Sequence, residues 1–125
     1  MPHFNSNIVA QTIENTFFRQ EILTGEHSQL VLMSIEPGDD IGEEIHHVDQ
    51  VLMFVAGQGE AILNGERSPV AANHLVVVPA GTTHNFRNTG TTALKLFTIY
   101  APPEEAPGTL HRTHAEALAA ESEES

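Results

Sequence analysis

Glu44, His46 and Gln50 stand at positions of equal parity, so on a regular strand a carboxylate, an imidazole and an amide point to one face. Left unpaired in an interior, each such group costs roughly 1–3 kcal/mol. A shared partner removes that cost, and a metal ion is the most economical one. A second stretch, Pro79-Ala80-Gly81-Thr82-Thr83-His84, supplies another imidazole just after a tight-turn signal. His47 has the opposite parity and is expected to face outward. His3, His27, His74, His111 and His114 have no partner at ligand spacing, and the last two are expected at the surface. Cysteine is absent, which excludes disulfides, thiolate catalysis and cysteine-based zinc sites.

The elements that must position these groups read as short strands between turns, the pattern of an all-β sandwich or barrel. Gln29 to Ile35 ends at Pro37-Gly38, Val51 to Val55 at Gly57-Gln58-Gly59, and Leu75 to Val78 at Pro79-Ala80-Gly81. Glu60 to Leu63 runs into Asn64-Gly65, the strongest short hairpin signal. Leu94 to Tyr100 alternates before Pro102-Pro103. No crossover helix fits between the strands, which excludes a parallel α/β sheet. Gln11 to Phe18 suits a helical turn or an edge strand. Thr113-His114-Ala115-Glu116 has the form of a capping box, so a short C-terminal helix is expected, with 121–125 as a mobile tail. Phe54, Phe86, Phe97 and Tyr100 are expected in the core and along a pocket.

The chain has 125 residues, one domain's length, and 40% of them are hydrophobic. Seventeen acidic residues against five basic ones give a net charge of −12, which argues against a surface that tracks nucleic-acid phosphates. Glu104, Glu105, Glu116, Glu121, Glu123 and Glu124 lie beyond Pro103 and are expected to be solvated. The bases Arg19, Arg67, Arg87 and Lys95 do not cluster in sequence, so a phosphate cradle is not expected. No apolar run approaches the roughly 20 residues of a membrane span. The opening Met1-Pro2-His3-Phe4-Asn5 lacks a signal-peptide pattern, so a cytoplasmic setting is expected.

The two polar stretches resemble the two motifs of the cupin superfamily, in order and separation. The first family motif runs Gly, five residues, His-x-His, three or four residues, Glu, six residues, Gly. Gly38 and Gly57 fall in register with its ends, Glu44 at the first His, His46 at the second and Gln50 at the Glu, so motif 1 covers 38–57. The second runs Gly, five residues, Pro-x-Gly, two residues, His, three residues, Asn. Pro79, Gly81, His84 and Asn88 match it, while Asn73 replaces the leading Gly, so motif 2 covers 73–88. The resemblance spans residues 29–100, and the tail after Leu96 is similar to that of small cupins called mannose-6-phosphate isomerase-like.

The resemblance implies one cupin domain over 1–125, a double-stranded β-helix or jelly-roll barrel with a metal in its pocket. The ligand set would be Glu44, His46, Gln50 and His84, against the family's three His and one Glu. The carboxylate has moved and an amide has replaced a ligand, but the set keeps a charge of −1. Mixed oxygen and nitrogen ligation without sulfur suits Mn, Fe, Co, Ni or Zn. Three function classes stay open: a metal-dependent isomerase-like enzyme on a small sugar or hydroxy acid, a quercetinase-type dioxygenase, and a non-enzymatic cupin that binds a small molecule. No catalytic residue is assigned; Glu43 is the nearest free acid, with parity against it. The expected partners are a small-molecule ligand and a second copy of the chain in a homodimer, the segment to Phe18 being the packed or exchanged element. Neither nucleic acid nor a membrane is expected.

Overall fold

The computed structural model describes residues 3–124, with nine strands and two helices among them. Helix α1 (Ile8–Glu14) is followed by strands β1 (Arg19–Thr24), β2 (Gln29–Ile35), β3 (Asp49–Ala56), β4 (Gln58–Leu63), β5 (Glu66–Ala71), β6 (Leu75–Val78), β7 (His84–Asn88), β8 (Leu94–Ala101) and β9 (Leu110–His111). Helix α2 (His114–Glu124) closes the chain. The strands form two antiparallel sheets, ordered β6-β3-β8-β2-β1-β9 and β5-β4-β7. This is the expected all-β architecture of two antiparallel sheets, with a C-terminal helix.

Alternation along the strands builds the core between the sheets. Leu52 and Phe54 of β3, Leu94, Leu96 and Tyr100 of β8, and Phe86 of β7 are buried at every second position. Gln50 and His84 occupy the same inward series, so two polar side chains sit where the pattern otherwise places apolar ones. Phe54 and Phe86 belong to this core, their ring centroids 5.6 Å apart.

The expected hairpin is present: Asn64 and Gly65 join β4 to β5 with φ of 50° and 84°, the double positive φ of a type I′ turn. Between β3 and β4, Gly57 has φ of 89°, and a Cβ there would stand 2.6 Å from the Ala93 carbonyl oxygen.

The ambiguous stretch Gln11 to Phe18 is split: Gln11 to Glu14 complete helix α1, and Asn15 to Phe18 form an irregular link to β1. Asn7 caps the helix, its side chain accepting from the Ala10 amide at 3.1 Å, and Lys95 Nζ donates to the carbonyls of Ile13 at 2.7 Å and Asn15 at 2.8 Å at the other end. Local sequence left the choice open because the closing partner lies far along the chain. α1 rests on β8 and β3 of its own chain.

At the C-terminus, Thr113 Oγ1 accepts from the Glu116 amide, as the capping signal requires, while Glu116 reaches back to the amide of Arg112, not Thr113. α2 packs on the barrel through Ala117, which is buried, and His114 stacks on Phe18 at 4.6 Å. The stretch expected as a mobile tail, 121–125, continues the helix through Glu124; Ser125 lies outside the described residues. No helix among the described residues is long and apolar enough to cross a membrane.

Candidate metal centre

The segment before β3 departs from a regular strand. Glu44 pairs with His84 of β7 by two reciprocal backbone hydrogen bonds, 2.8 and 2.9 Å, whereas Gln50 lies in β3 of the larger sheet. The chain therefore crosses from one sheet to the other between them, and the parity argument on one continuous strand does not hold. Glu44, His46 and His84 nevertheless meet, because backbone bonds tie the motifs together. Besides the Glu44–His84 pair, the Gly81 amide donates to the His46 carbonyl at 2.8 Å.

Donor atoms of Glu44, His46 and His84 all lie within 4.8 Å of one another. Ligands at about 2.0–2.3 Å from a common ion stand roughly 3–4.5 Å apart, so this spacing suits a shared cation. Glu44 Oε2 is 3.6 Å from His46 Nε2. Burial pushes the Glu44 carboxyl up from the ordinary 4.5, with Arg19 and His46 pulling it back.

Both imidazoles are held by their other nitrogen. His84 Nδ1 lies 2.9 Å from the Thr82 carbonyl and His46 Nδ1 lies 3.0 Å from Glu104 Oε1. Those partners only accept, so Nδ1 carries the hydrogen and Nε2 keeps its lone pair in the neutral ring. Gln50 is fixed in the same way. The Thr98 hydroxyl donates to the Val51 carbonyl at 3.0 Å and accepts from Gln50 Nε2 at 3.1 Å. His46 Nε2, His84 Nε2 and Gln50 Oε1 are left buried without a hydrogen-bond partner. Two orphaned imidazole nitrogens beside a carboxylate are what a divalent cation satisfies, and Gln50 Oε1 is a third buried acceptor left unpartnered.

Tyr100 stands edge-on to His46, with centroids 5.7 Å apart, and burial followed by Glu105 raises its hydroxyl pKa so that it stays neutral. His47 and Glu43 are exposed, as expected.

A cavity of about 390 Å³ opens beside this cluster, lined by Arg19, Glu44, His46, Glu104, Glu105 and His111 among others, with Glu121 of α2 at its edge. Three expectations are corrected here. The wall is polar and charged: Phe54 and Phe86, expected in the core and along a pocket, lie in the core alone. Glu104 and Glu105 are not merely solvated: Glu104 holds His46, and Glu105 Oε1 comes within 3.4 Å of Arg19 Nε. His111 and His114 are half-buried and partnered, the first 3.4 Å from Arg19 Nη1 and the second 2.8 Å from Asp39 Oδ1. Pairing of β9 with β1, Arg19 opposite His111, delivers these groups. Strand β9 is only two residues long, and no local pattern marks it. Arg19 and Glu104 were accordingly missed; the Pro102-Pro103 pair before Glu104 marked only a change of direction.

A protein-family model described as "Cupin domain" matches residues 31–100. The chain is 48% identical to the uncharacterized protein YrkC of Bacillus subtilis, over 94% of this chain and 67% of that protein. It is 43% identical to the crystal structure of BH2720 from Bacillus halodurans, covering 94% of this chain and 95% of that one with a TM-score of 0.93. A shorter stretch is 32% identical to the mannose-1-phosphate guanylyltransferase of Salmonella montevideo, over 60% of this chain and 16% of that protein.

Proposed function

The chain belongs to the cupin family, and on that premise we propose that Glu44, His46, Gln50 and His84 hold one divalent ion, Mn, Fe, Co, Ni or Zn, beside which a small oxygen-donor ligand binds and undergoes isomerase-like proton transfer. One observation carries the reading: His46 Nε2, His84 Nε2 and Gln50 Oε1 are buried electron-pair donors without a partner. Two neutral imidazoles, a neutral amide oxygen and one carboxylate make a −1 set that suits a hard or borderline ion.

When bound, the ion supplies Lewis acidity toward a carbonyl or hydroxyl oxygen. The chain's own residues do the rest. Thr82 and Glu104 hold the two imidazoles in the tautomer that turns Nε2 inward. Thr98 aims the Gln50 amide. Glu104 and Glu105, both on the cavity wall, are the carboxylates that can take up a proton from a ligand carbon and return it. Glu43, the nearest acid in sequence, is exposed and does not line the cavity.

The polar wall supports a hydroxylated ligand over a flat aromatic one, so isomerase-like chemistry ranks above the quercetinase-type reading. A binding cupin without turnover uses the same ion and cavity. Equilibrium dialysis against each of the five ions should give one ion per chain, lost in His84→Ala. Incubating the loaded protein with hydroxy-carbonyl sugars in D₂O should then place deuterium at the carbon next to the carbonyl. Metal uptake without deuterium exchange would leave the binding-protein reading, and no uptake would end both.

A further inference from the structure

Arg19 is only 4% exposed, yet its guanidinium is loosely hydrogen-bonded. A guanidinium has five N–H donors, and burying it without close partners is costly. Its polar neighbours stand off: Glu105 Oε1 is 3.4 Å from Nε and His111 Nδ1 is 3.4 Å from Nη1. A charge-assisted pair closes to about 2.7–2.9 Å. Nε itself is buried without a hydrogen-bond partner, while the Phe18 ring, 5.3 Å from Cζ, supports the group from another side.

This guanidinium lines the same cavity as Glu44 and His46. The other bases are engaged or remote: Lys95 closes α1, Arg67 pairs with Glu60 at 2.7 Å, Arg112 with Glu116 at 3.8 Å, and Arg87 is exposed. Among the described residues, Arg19 is the basic side chain on the cavity wall. A purely structural strut would be saturated; this one borders a ligand-sized space with Nε unpartnered and its other contacts long.

We propose that Arg19 is an anion-recognition residue and that the ligand is a hydroxylated carboxylate, a sugar acid or small hydroxy acid. The fork matches one carboxylate in bidentate fashion. The surrounding Glu104, Glu105 and Glu121 accept hydrogen bonds from hydroxyls and repel further negative charge, which disfavours a phosphate dianion. At about 390 Å³ the cavity is near the lower end of ligand sites, roughly 300–1,000 Å³, in keeping with a small molecule. The inference deepens the proposed function by naming the ligand class, and it rests on that reading only for the second anchor, the ion.

Calorimetric titration of the manganese-loaded protein with glucuronate and with its neutral amide, glucuronamide, tests it. Glucuronate should bind about 10- to 100-fold more tightly, the contribution of a charge-assisted pair. Arg19→Gln should abolish that preference while dialysis on the same samples, run at saturating manganese, still finds one ion per chain, because Arg19 is not a ligand. Should Arg19→Gln fail to fold, Glu105→Gln serves as the second variant: it removes the competing carboxylate and should tighten glucuronate. Equal binding of acid and amide, no binding of either, an unchanged preference in Arg19→Gln, a weakened acid in Glu105→Gln, or inorganic phosphate competing as well as the acid would each overturn the assignment. Failure of manganese uptake strikes the metal reading instead, and the acid-over-amide comparison on metal-free protein then decides Arg19 by the same criteria.

Discussion

Loading the site with a divalent ion should raise the melting temperature by an amount the structure lets one work out. Three buried donors without partners cost the metal-free protein roughly 1–3 kcal/mol each, a penalty that a bound ion removes. At an ion concentration about 100 times Kd, mass action stabilises the native state by about 2.7 kcal/mol. An unfolding entropy of roughly 2.1 cal/mol/K per residue gives about 0.26 kcal/mol/K for 125 residues. The expected rise is therefore about 10 °C, read by differential scanning calorimetry on chelator-treated protein before and after adding each of Mn, Fe, Co, Ni and Zn. His84→Ala should lose most of the rise. It should also destabilise the metal-free form less than the loaded form, since it deletes one orphaned nitrogen along with the ring's packing. Shifts below about 1 °C with all five ions at millimolar concentration, on a scale where about 4 °C corresponds to 1 kcal/mol, would refute the reasoning.

Other consequences are open to measurement. Glu104 touches no proposed ion but holds His46, so Glu104→Ala should weaken metal binding by about 10- to 100-fold and Glu104→Gln by less, in competition titrations against a chelator; unchanged affinity would deny it the orienting role. Glu44 has a folded pKa raised by burial, so the native metal-free protein binds more protons than the unfolded chain between the ordinary 4.5 and that higher value, and stability falls as pH rises through this window. Glu44→Gln should remove that loss and raise the metal-free melting temperature at neutral pH while weakening metal uptake; a steeper pH dependence in the variant would contradict the sign. The outer face of the larger sheet exposes Leu75, Val77 and Ile99, and the homodimer we propose would cover it with a second copy. Light scattering should return twice 13.6 kDa, Val77→Glu should return the monomer mass, and a monomeric parent protein would dispose of the idea.

The sequence carried the architecture because strand alternation and the turn residues around Gly57, Asn64-Gly65 and Pro79-Gly81 are local signals. The meeting of Glu44, His46 and His84 was anticipated for a partly mistaken reason. A shared parity on one strand suggested it, whereas a sheet crossing and backbone bonds to β7 and its turn achieve it. Gln50 shows the limit from another direction, since its inward position follows from periodicity but the freedom of Oε1 depends on Thr98, far along the chain. Arg19, Glu104, Glu105 and His111 could not be assembled in advance. They come together through a two-residue strand and a proline-directed return, neither of which has a hydrophobic period. A −12 chain also hides a buried cation well, because net charge averages over the surface while a binding wall depends on a single side chain.

Lys95 has a consequence outside the cavity. It is the chain's single lysine, so its Nζ is the only side-chain amine available to acylating reagents. Two of its three hydrogens are given to the carbonyls of Ile13 and Asn15, where α1 ends against β8. Acylation takes away the charge and leaves a single N–H, too few for both carbonyls. The modification rate of this one side-chain amine thus becomes a clock for how often the N-terminal helix lifts from the sheet, read on the peptide that carries Lys95 and requiring no engineered label.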